Sequence, residues 1–459
     1  MKVLSVASEC APLVKTGGLA DVAGALPGAL AGLGVEMRTV LPGYPAVMDA
    51  LADADGEAAW SEDDLFGGPG HLIAARVAGL DLLVLDAPHL FDRAGGPYGG
   101  PDGDWPDNPE RFAALSWAAA AVARGRAGWR PDILHAHDWQ AGLAPLYAAE
   151  TPSVLTIHNV AFQGMAPADR IGSLRLPPER FDEGGYEFWG QVSTLKAGMV
   201  WADKVTTVSP TYAAELTTPE FGMGLEGVLR ARRADLSGIL NGVDLEAWTP
   251  PYASPKGKAK HKAALRAEMG LGEADGPLCV LVSRLSHQKG IDILLDALPR
   301  LVDEGGQLAL LGSGDAALED RLRGAAAHPH VAVRIGYDEG LAHRMIAGGD
   351  AILVPSRFEP CGLTQLYGLR FGTLPVVTLT GGLADTVIPA SPAGLVAGVA
   401  TGLQVHPITA DALSRGFDHL HALWRQPELW RRMAKNAMRH PVGWDVSAAA
   451  YRDLYASLL

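Results

Sequence analysis

Two doubly wound α/β domains, each a parallel sheet with helices on both faces, are the fold this sequence predicts. Three observations carry the prediction. The chain has 459 residues, too many for one hydrophobic core. Short apolar runs alternate with Ala/Leu-rich helical stretches from the first residues onward. That alternation is broken once, near residue 245, by a segment rich in Pro, Lys and small residues, and then restarts.

The elements follow in order. The first strand is predicted at Lys2 to Ala7 (KVLSVA), then a polar, Gly-rich turn, ASECAPLVKTGG, then a helix from about Leu19 to Leu33. VEMRTVL, DLLVLDA, DILHAH, SVLTIHN, KVTTVS and SGILNG read as further strands, with helices such as NPERFAALSWAAAAVA between several of them. The segment from Asn241, NGVDLEAWTPPYASPKGKAK, reads as an exposed linker. PLCVLVS, a helix from Gly290 to Val302, QLALLGSGD, VAVRIGYD, AILVPSRFE and LPVVTLTGG form the second series, and helices dominate after about Thr409. The expected domains are 1–244 and 245–440, with 441–459 a terminal helix packing back on the first domain.

Composition narrows the function. Apolar residues make up 48% and charged residues 20%, as in an ordinary globular protein, and many of the 55 glycines fall in Gly-Gly pairs suited to tight strand-to-helix turns. A formal net charge of −14 argues against nucleic acid or an anionic membrane as partner. A phosphate can still bind where a few cations converge. Cys10, Cys279 and Cys361 form no C-x-x-C pair, so neither structural zinc nor a disulfide framework is expected. The N-terminus lacks a signal-peptide layout and no apolar stretch is long enough to span a bilayer, so a cytoplasmic location is expected.

Ligands of open α/β sheets bind beyond the carboxyl ends of the strands, and the chemistry-bearing motifs all follow predicted strands. In Lys15-Thr16-Gly17-Gly18-Leu19-Ala20-Asp21, two glycines allow close backbone approach, the helix start offers N–H groups, and Lys15 adds a charge. This suits a diphosphate; a tight turn with a solvated lysine is the alternative. It is neither G-x-G-x-x-G nor a Walker A loop. In Ser283-Arg284-Leu285-Ser286-His287-Gln288-Lys289-Gly290, Arg284 and Lys289 could reach one pyrophosphate, or be two surface cations. In Pro355 to Thr364 (PSRFEPCGLT), Glu359 sits before a helix expected to start near Cys361 or Gly362, as a cleft carboxylate or a helix-stabilising one. His135-Ala136-His137-Asp138-Trp139 and His158-Asn159 end two strands. Without a further ligand set a metal is disfavoured, and sugar-hydroxyl recognition fits better. Trp139, Tyr98 and Trp105 could pack on sugar rings or in the core. GGLADV at Gly17 to Val22 recurs as GGLADT at Gly381 to Thr386, either by chance or duplication, or because both helix starts face one ligand.

KTGGLADV, HAHDW, HN, LNGVD, SRLSHQKG, IGYD, SRFEPCGLTQLYG and TGGLADTV, in that order, resemble bacterial glycogen synthase and plant starch synthase over nearly the whole chain. The resemblance implies a GT-B architecture of two Rossmann-like domains with an interdomain active-site cleft. The first domain would be the acceptor side and the second would bind the nucleotide sugar. It implies retaining, metal-independent and cofactor-free transfer of glucose from ADP-glucose to glycogen or another α-1,4-glucan. By resemblance, Lys15, Thr16, Gly17 and Gly18 bind the sugar nucleotide, with Asp21 nearby. Arg284 and Lys289 hold the diphosphate, and Cys361, Gly362, Leu363 and Thr364 add backbone donors. Gly336 and Tyr337 lie against adenine, and Asn241 lines the cleft. His158, Asn159 and Glu359 surround the glucose, and Asp138 lies on the glucose or acceptor side. Where wider relatives carry a second glutamate, this chain has Tyr367, and His287 replaces a smaller polar residue. A UDP-glucose-dependent enzyme, or an inactive glucan-binding homologue, is the alternative reading.

Overall fold

The computed structural model describes all residues, Met1–Leu459. It comprises two compact units: Met1–Asn241 with Trp444–Leu459, and Gly242–Gly443. No helix is long and apolar enough to cross a membrane.

The first unit is built on a nine-stranded sheet in the spatial order Leu236–Gly238, Lys204–Thr207, Ser153–Ile157, Ile133–His137, Lys2–Val6, Glu36–Pro42, Leu80–Asp86, Gly70–Val77, Glu57–Glu62. The central strands are short and, apart from Lys2 at the start of the first, buried along their length, as strands covered on both faces must be. The expectation of a wholly parallel sheet is corrected at one edge, where the last two strands run antiparallel. Ala78 and Gly79, both at positive φ, make a two-residue turn whose twist matches a hairpin. The chain therefore folds straight back instead of crossing over through a helix. Progress along the sheet reverses between Lys2–Val6 and Ile133–His137. The loops after these two strands, KTGG and HDW, thus leave the sheet side by side at its switch point.

The helix after the first strand runs Gly18–Ala31 and packs against the terminal helix Trp444–Ala456. Tyr451 and Tyr455 of that terminal helix are fully buried beside Leu26 and Leu30. Burial at this level contributes about 1.5–3 kcal/mol per large side chain, enough to anchor the chain's end on this unit. Ser447 Oγ adds a hydrogen bond of 2.5 Å to the Leu240 carbonyl.

The second unit carries a six-stranded, all-parallel sheet in the order Val331–Ile335, Gln307–Gly312, Leu278–Val282, Ala351–Val354, Leu374–Thr378, Leu403–Val405. The reversal falls between Leu278–Val282 and Ala351–Val354. The loops that carry Arg284 and Glu359 follow these two strands and so leave the sheet at its switch point.

The segment predicted as an exposed linker is a correction. Asp244 to Ala247 are exposed, but Trp248 is stacked between His343 (centroids 3.9 Å) and Tyr367 (3.6 Å). Lys258 begins the helix Lys258–Met269, and its buried ammonium donates to Thr373 Oγ1 (2.7 Å), Tyr252 Oη (2.9 Å) and the Ala347 carbonyl (3.1 Å). Pro and Lys density marked the absence of a strand, not the absence of packing. Burial pulls the Lys258 ammonium down to about 7.

Candidate active site

In the first unit the residue that organises the site is Glu9, which the motifs alone did not single out. It follows the first strand, is 3% exposed, and its carboxylate accepts from Thr16 Oγ1 (2.6 Å), the Gly17 N–H (3.2 Å), the Thr16 N–H and the Tyr98 hydroxyl. Two of the N–H groups expected to face a phosphate are thus spent inside the protein, which corrects the simplest reading of the KTGG turn. The usable signal was a lone carboxylate between a buried strand and a Gly-rich turn. Lys15 pairs with Asp21 at 2.7 Å, across the first turn of the helix, and remains half exposed. The helix opens at Gly18 without a side-chain cap. A Cβ added to Gly17 or Gly18 would meet nothing within 4 Å. Neither glycine is demanded by internal packing.

The second GGLAD copy differs. A Cβ on Gly381 would lie 2.0 Å from the Glu359 carbonyl, and one on Gly382 would lie 2.2 Å from the Cys361 carbonyl. The Gly382 N–H donates to the carbonyls of Glu359 (3.0 Å) and Pro360 (3.1 Å). Similar sequences therefore do different work: the first pair leaves backbone accessible, and the second clamps the Glu359 loop.

His137, Asp138 and His158 come together at the switch point of the first unit. Asp138 sits at φ 55, with its N–H bound to the Thr156 carbonyl. Its Oδ1 accepts from the N–H groups of His158 (2.6 Å) and Asn159 (3.4 Å). Burial raises the Asp138 carboxyl from 3.8 to about 7; the two N–H donors oppose this, and the Glu9 charge adds to it. Between these values the folded state keeps a proton that the unfolded chain has released. Stability therefore falls as pH rises through that window, by at most about 1.4 kcal/mol per pH unit from this group. Asp138→Asn is expected to remove that slope, read as Tm against pH between about 4 and 7. An unchanged profile would show that Asp138 ionises normally.

The metal alternative for H-x-H fails on geometry. His135 has both nitrogens occupied, by Tyr455 Oη (2.7 Å) and Thr156 Oγ1 (2.6 Å). No group of His, Cys, Asp and Glu side chains converges as a metal site. Tyr98 and Trp139 pack on Phe112, and Trp105 donates to the Gly96 carbonyl under Arg93. All three aromatic residues remain partly exposed.

In the second unit, Gly290 (φ 64) lets the SRLSHQKG loop pass the exit of the neighbouring strand; a Cβ there would lie 1.9 Å from the Pro355 carbonyl. Lys289 is thereby set against Glu359, with Nζ 2.5 Å from Oε2, and Ser356 Oγ donates to the same oxygen at 2.8 Å. Arg357 ties the two loops together. Its N–H donates to the Gln288 carbonyl (2.8 Å), and its guanidinium grips Asp292 through two bonds of 2.6 and 2.7 Å. Those bonds hold the Asp292 carboxyl down at about 2. Arg284 is exposed and makes no ion pair.

The helix expected to start at Cys361 or Gly362 starts at Thr364 instead, running Thr364–Phe371. Gly362 is left-handed (φ 73), which ends the extended segment, and Gln365 Nε2 takes up the carbonyls of Cys361 (3.0 Å) and Gly362 (2.8 Å). A small pocket opens here, bordered by Ser283, Lys289, Glu359, Gly362 and Thr364. Gly336 (φ 136) and Tyr337, 85% exposed, follow the strand Val331–Ile335. Asn241 ends the first unit with a buried Oδ1 that has no hydrogen-bond partner. Tyr367 is explained by Trp248, whose ring it covers.

Sequence comparison identifies the family. The starch synthase catalytic domain family matches residues 2–231, and the glycosyl transferases group 1 family matches residues 270–440. Glycogen synthase of Paracoccus denitrificans is 64% identical over 465 residues, covering 100% of this chain and 99% of that protein. The chain belongs to the glycogen synthase family. Glycogen synthase of Jannaschia sp. is 61% identical, with 99% and 98% covered. Among solved structures, the catalytic domain of starch synthase IV from Arabidopsis thaliana, bound to ADP and acarbose, has a TM-score of 0.86 at 31% identity over 100% of this chain and 99% of that one. A sucrose-phosphate synthase from Thermosynechococcus elongatus (TM-score 0.62, 21% identity, 100% and 98% covered) shares the fold. As a member of the glycogen synthase family the chain is a glycosyltransferase of GT-B type, with two Rossmann-like units.

Proposed function

We propose that this protein transfers α-glucosyl units from ADP-glucose to the non-reducing 4-hydroxyl of an α-1,4-glucan, with retention, releasing ADP. The observation that carries the reading is the Lys289–Glu359 pair at the switch point of the second unit, with Arg284, exposed and unpaired, in the same loop as Lys289. Departure of ADP builds negative charge on a diphosphate and leaves an oxocarbenium-like sugar. A cation and a carboxylate joined through one contact answer both changes: Arg284 and Lys289 take the diphosphate, while Glu359 orients or stabilises the sugar. Thr364 and its neighbours at the helix start add backbone donors. Gly336 and Tyr337 hold the adenine.

The first unit contributes Gly17 and Gly18, whose missing Cβ atoms leave open space for a ligand although the Gly17 N–H is held by Glu9, with Lys15, Thr16 and Asp21 beside them. His158, Asn159 and Asp138 meet sugar hydroxyls, and Asn241 offers its unpartnered carbonyl oxygen. The transfer runs by front-face attack in this reading, with the departing phosphate accepting the proton of the 4-hydroxyl. Under this reading the location is cytoplasmic, where both donor and glucan are available. ADP release from ADP-glucose, measured with and without glycogen, tests the reading. Release that requires glycogen, with UDP-glucose a poorer donor, is expected. Release from neither donor would leave a glucan-binding homologue.

A further inference from the structure

The H-x-H motif, rejected as a metal site, has a different use. His137 is fully buried, and its Nδ1 lies 3.0 Å from Nε2 of His158. Its other nitrogen, Nε2, is buried and has no hydrogen-bond partner. Its ring lies against that of His135, centroids 4.1 Å apart. We infer that His137 is a positioning residue that fixes the tautomer of His158, so that His158 presents Nδ1–H, a hydrogen-bond donor, to the substrate.

Two buried imidazoles in contact do not both carry charge, and burial lowers the basicity of His135, His137 and His158 alike. His137 is therefore neutral and has one N–H. A buried N–H without an acceptor is rarer and costlier than a buried acceptor without a donor. The hydrogen therefore sits on Nδ1, not on the orphaned Nε2. His137 Nδ1–H then donates to His158 Nε2, which must be the unprotonated nitrogen of that ring. His158, also neutral, carries its own hydrogen on Nδ1.

The consequence is that His158 cannot act as a general base through Nδ1. It donates to a sugar oxygen, and His137 prevents the ring from turning over to the other tautomer. This rests on the placement of His158 beside the transferred glucose. The tautomer is read without turnover, so its failure is distinct from a failure of the proposed activity.

The test is nitrogen NMR of the full chain labelled at histidine, combined with kinetics. In the wild type, His158 is expected to show a protonated Nδ1 and an unprotonated Nε2. His137→Phe keeps a ring against His135 but removes the donor. It is expected to give His158 a mixed tautomer and to lower kcat roughly tenfold or more, with KM for ADP-glucose changed by less than about twofold. His137→Asn, whose amide can place an N–H where Nδ1–H lies, is expected to restore both the tautomer and most of kcat. Protonation of His158 at Nε2 in the wild type overturns the inference. So does a His137→Phe enzyme with wild-type kcat. If His137→Phe does not fold, the wild-type spectrum and the Asn variant decide the question alone.

Discussion

Lys289→Ala is expected to lower kcat/KM for ADP-glucose by roughly 10²–10³-fold, the effect of removing one preorganised charged donor from a developing anion. The loss has two parts. The diphosphate loses its contact, and Glu359, 6% exposed, loses the ammonium 2.5 Å from its Oε2. A buried carboxylate stripped of its partner is unfavourable, so this variant should also lose stability. Arg284→Ala separates the two parts. Arg284 is exposed and unpaired, so its removal should shift stability by no more than about 0.5 kcal/mol. A large fall in kcat/KM for Arg284→Ala with an unchanged Tm assigns the effect to the ligand. Wild-type kcat/KM in both variants would show that the diphosphate binds elsewhere.

Glu359→Gln is expected to lower kcat by about 10²-fold or more while the fold survives. The amide fits the same space and can still accept from Ser356 Oγ and Lys289, since both donate to a single oxygen, Oε2. What it lacks is the charge that would face an oxocarbenium-like sugar. Because the loop around Glu359 is clamped by Gly381, Gly382 and Arg357 rather than by the carboxylate, the backbone should stay in place. Turnover near that of the wild type in a folded Glu359→Gln enzyme would remove Glu359 from the chemistry.

The repeated strand–helix alternation made the two α/β units legible, because buried parallel strands announce themselves as short apolar runs. The antiparallel edge did not show. Its strands are partly exposed, with Glu57, Ser61, Glu62, His71 and Arg76 interrupting the apolar residues, so neither reads as a continuous apolar run. The connecting segment misled for a different reason. Trp248 and Lys258 pack through an aromatic stack and a cluster of backbone carbonyls, contacts with no periodicity to read. At the site, residue types and strand-end positions pointed to Lys289 and Glu359, but not to their direct contact, which depends on Gly290 bringing two loops together. Glu9 was invisible as a motif because its role is fixed by where the chain returns, at Thr16, Gly17 and Tyr98. The two GGLAD copies look alike in sequence and are separated only by what lies next to each missing Cβ.

A crystal structure of the protein with ADP bears most directly on the diphosphate site. Diphosphate oxygens within hydrogen-bonding distance of both Arg284 and Lys289, beside the start of the helix Thr364–Phe371, are what the electrostatic argument predicts. ADP bound away from these residues, with Lys289 still engaged by Glu359 alone, would contradict it.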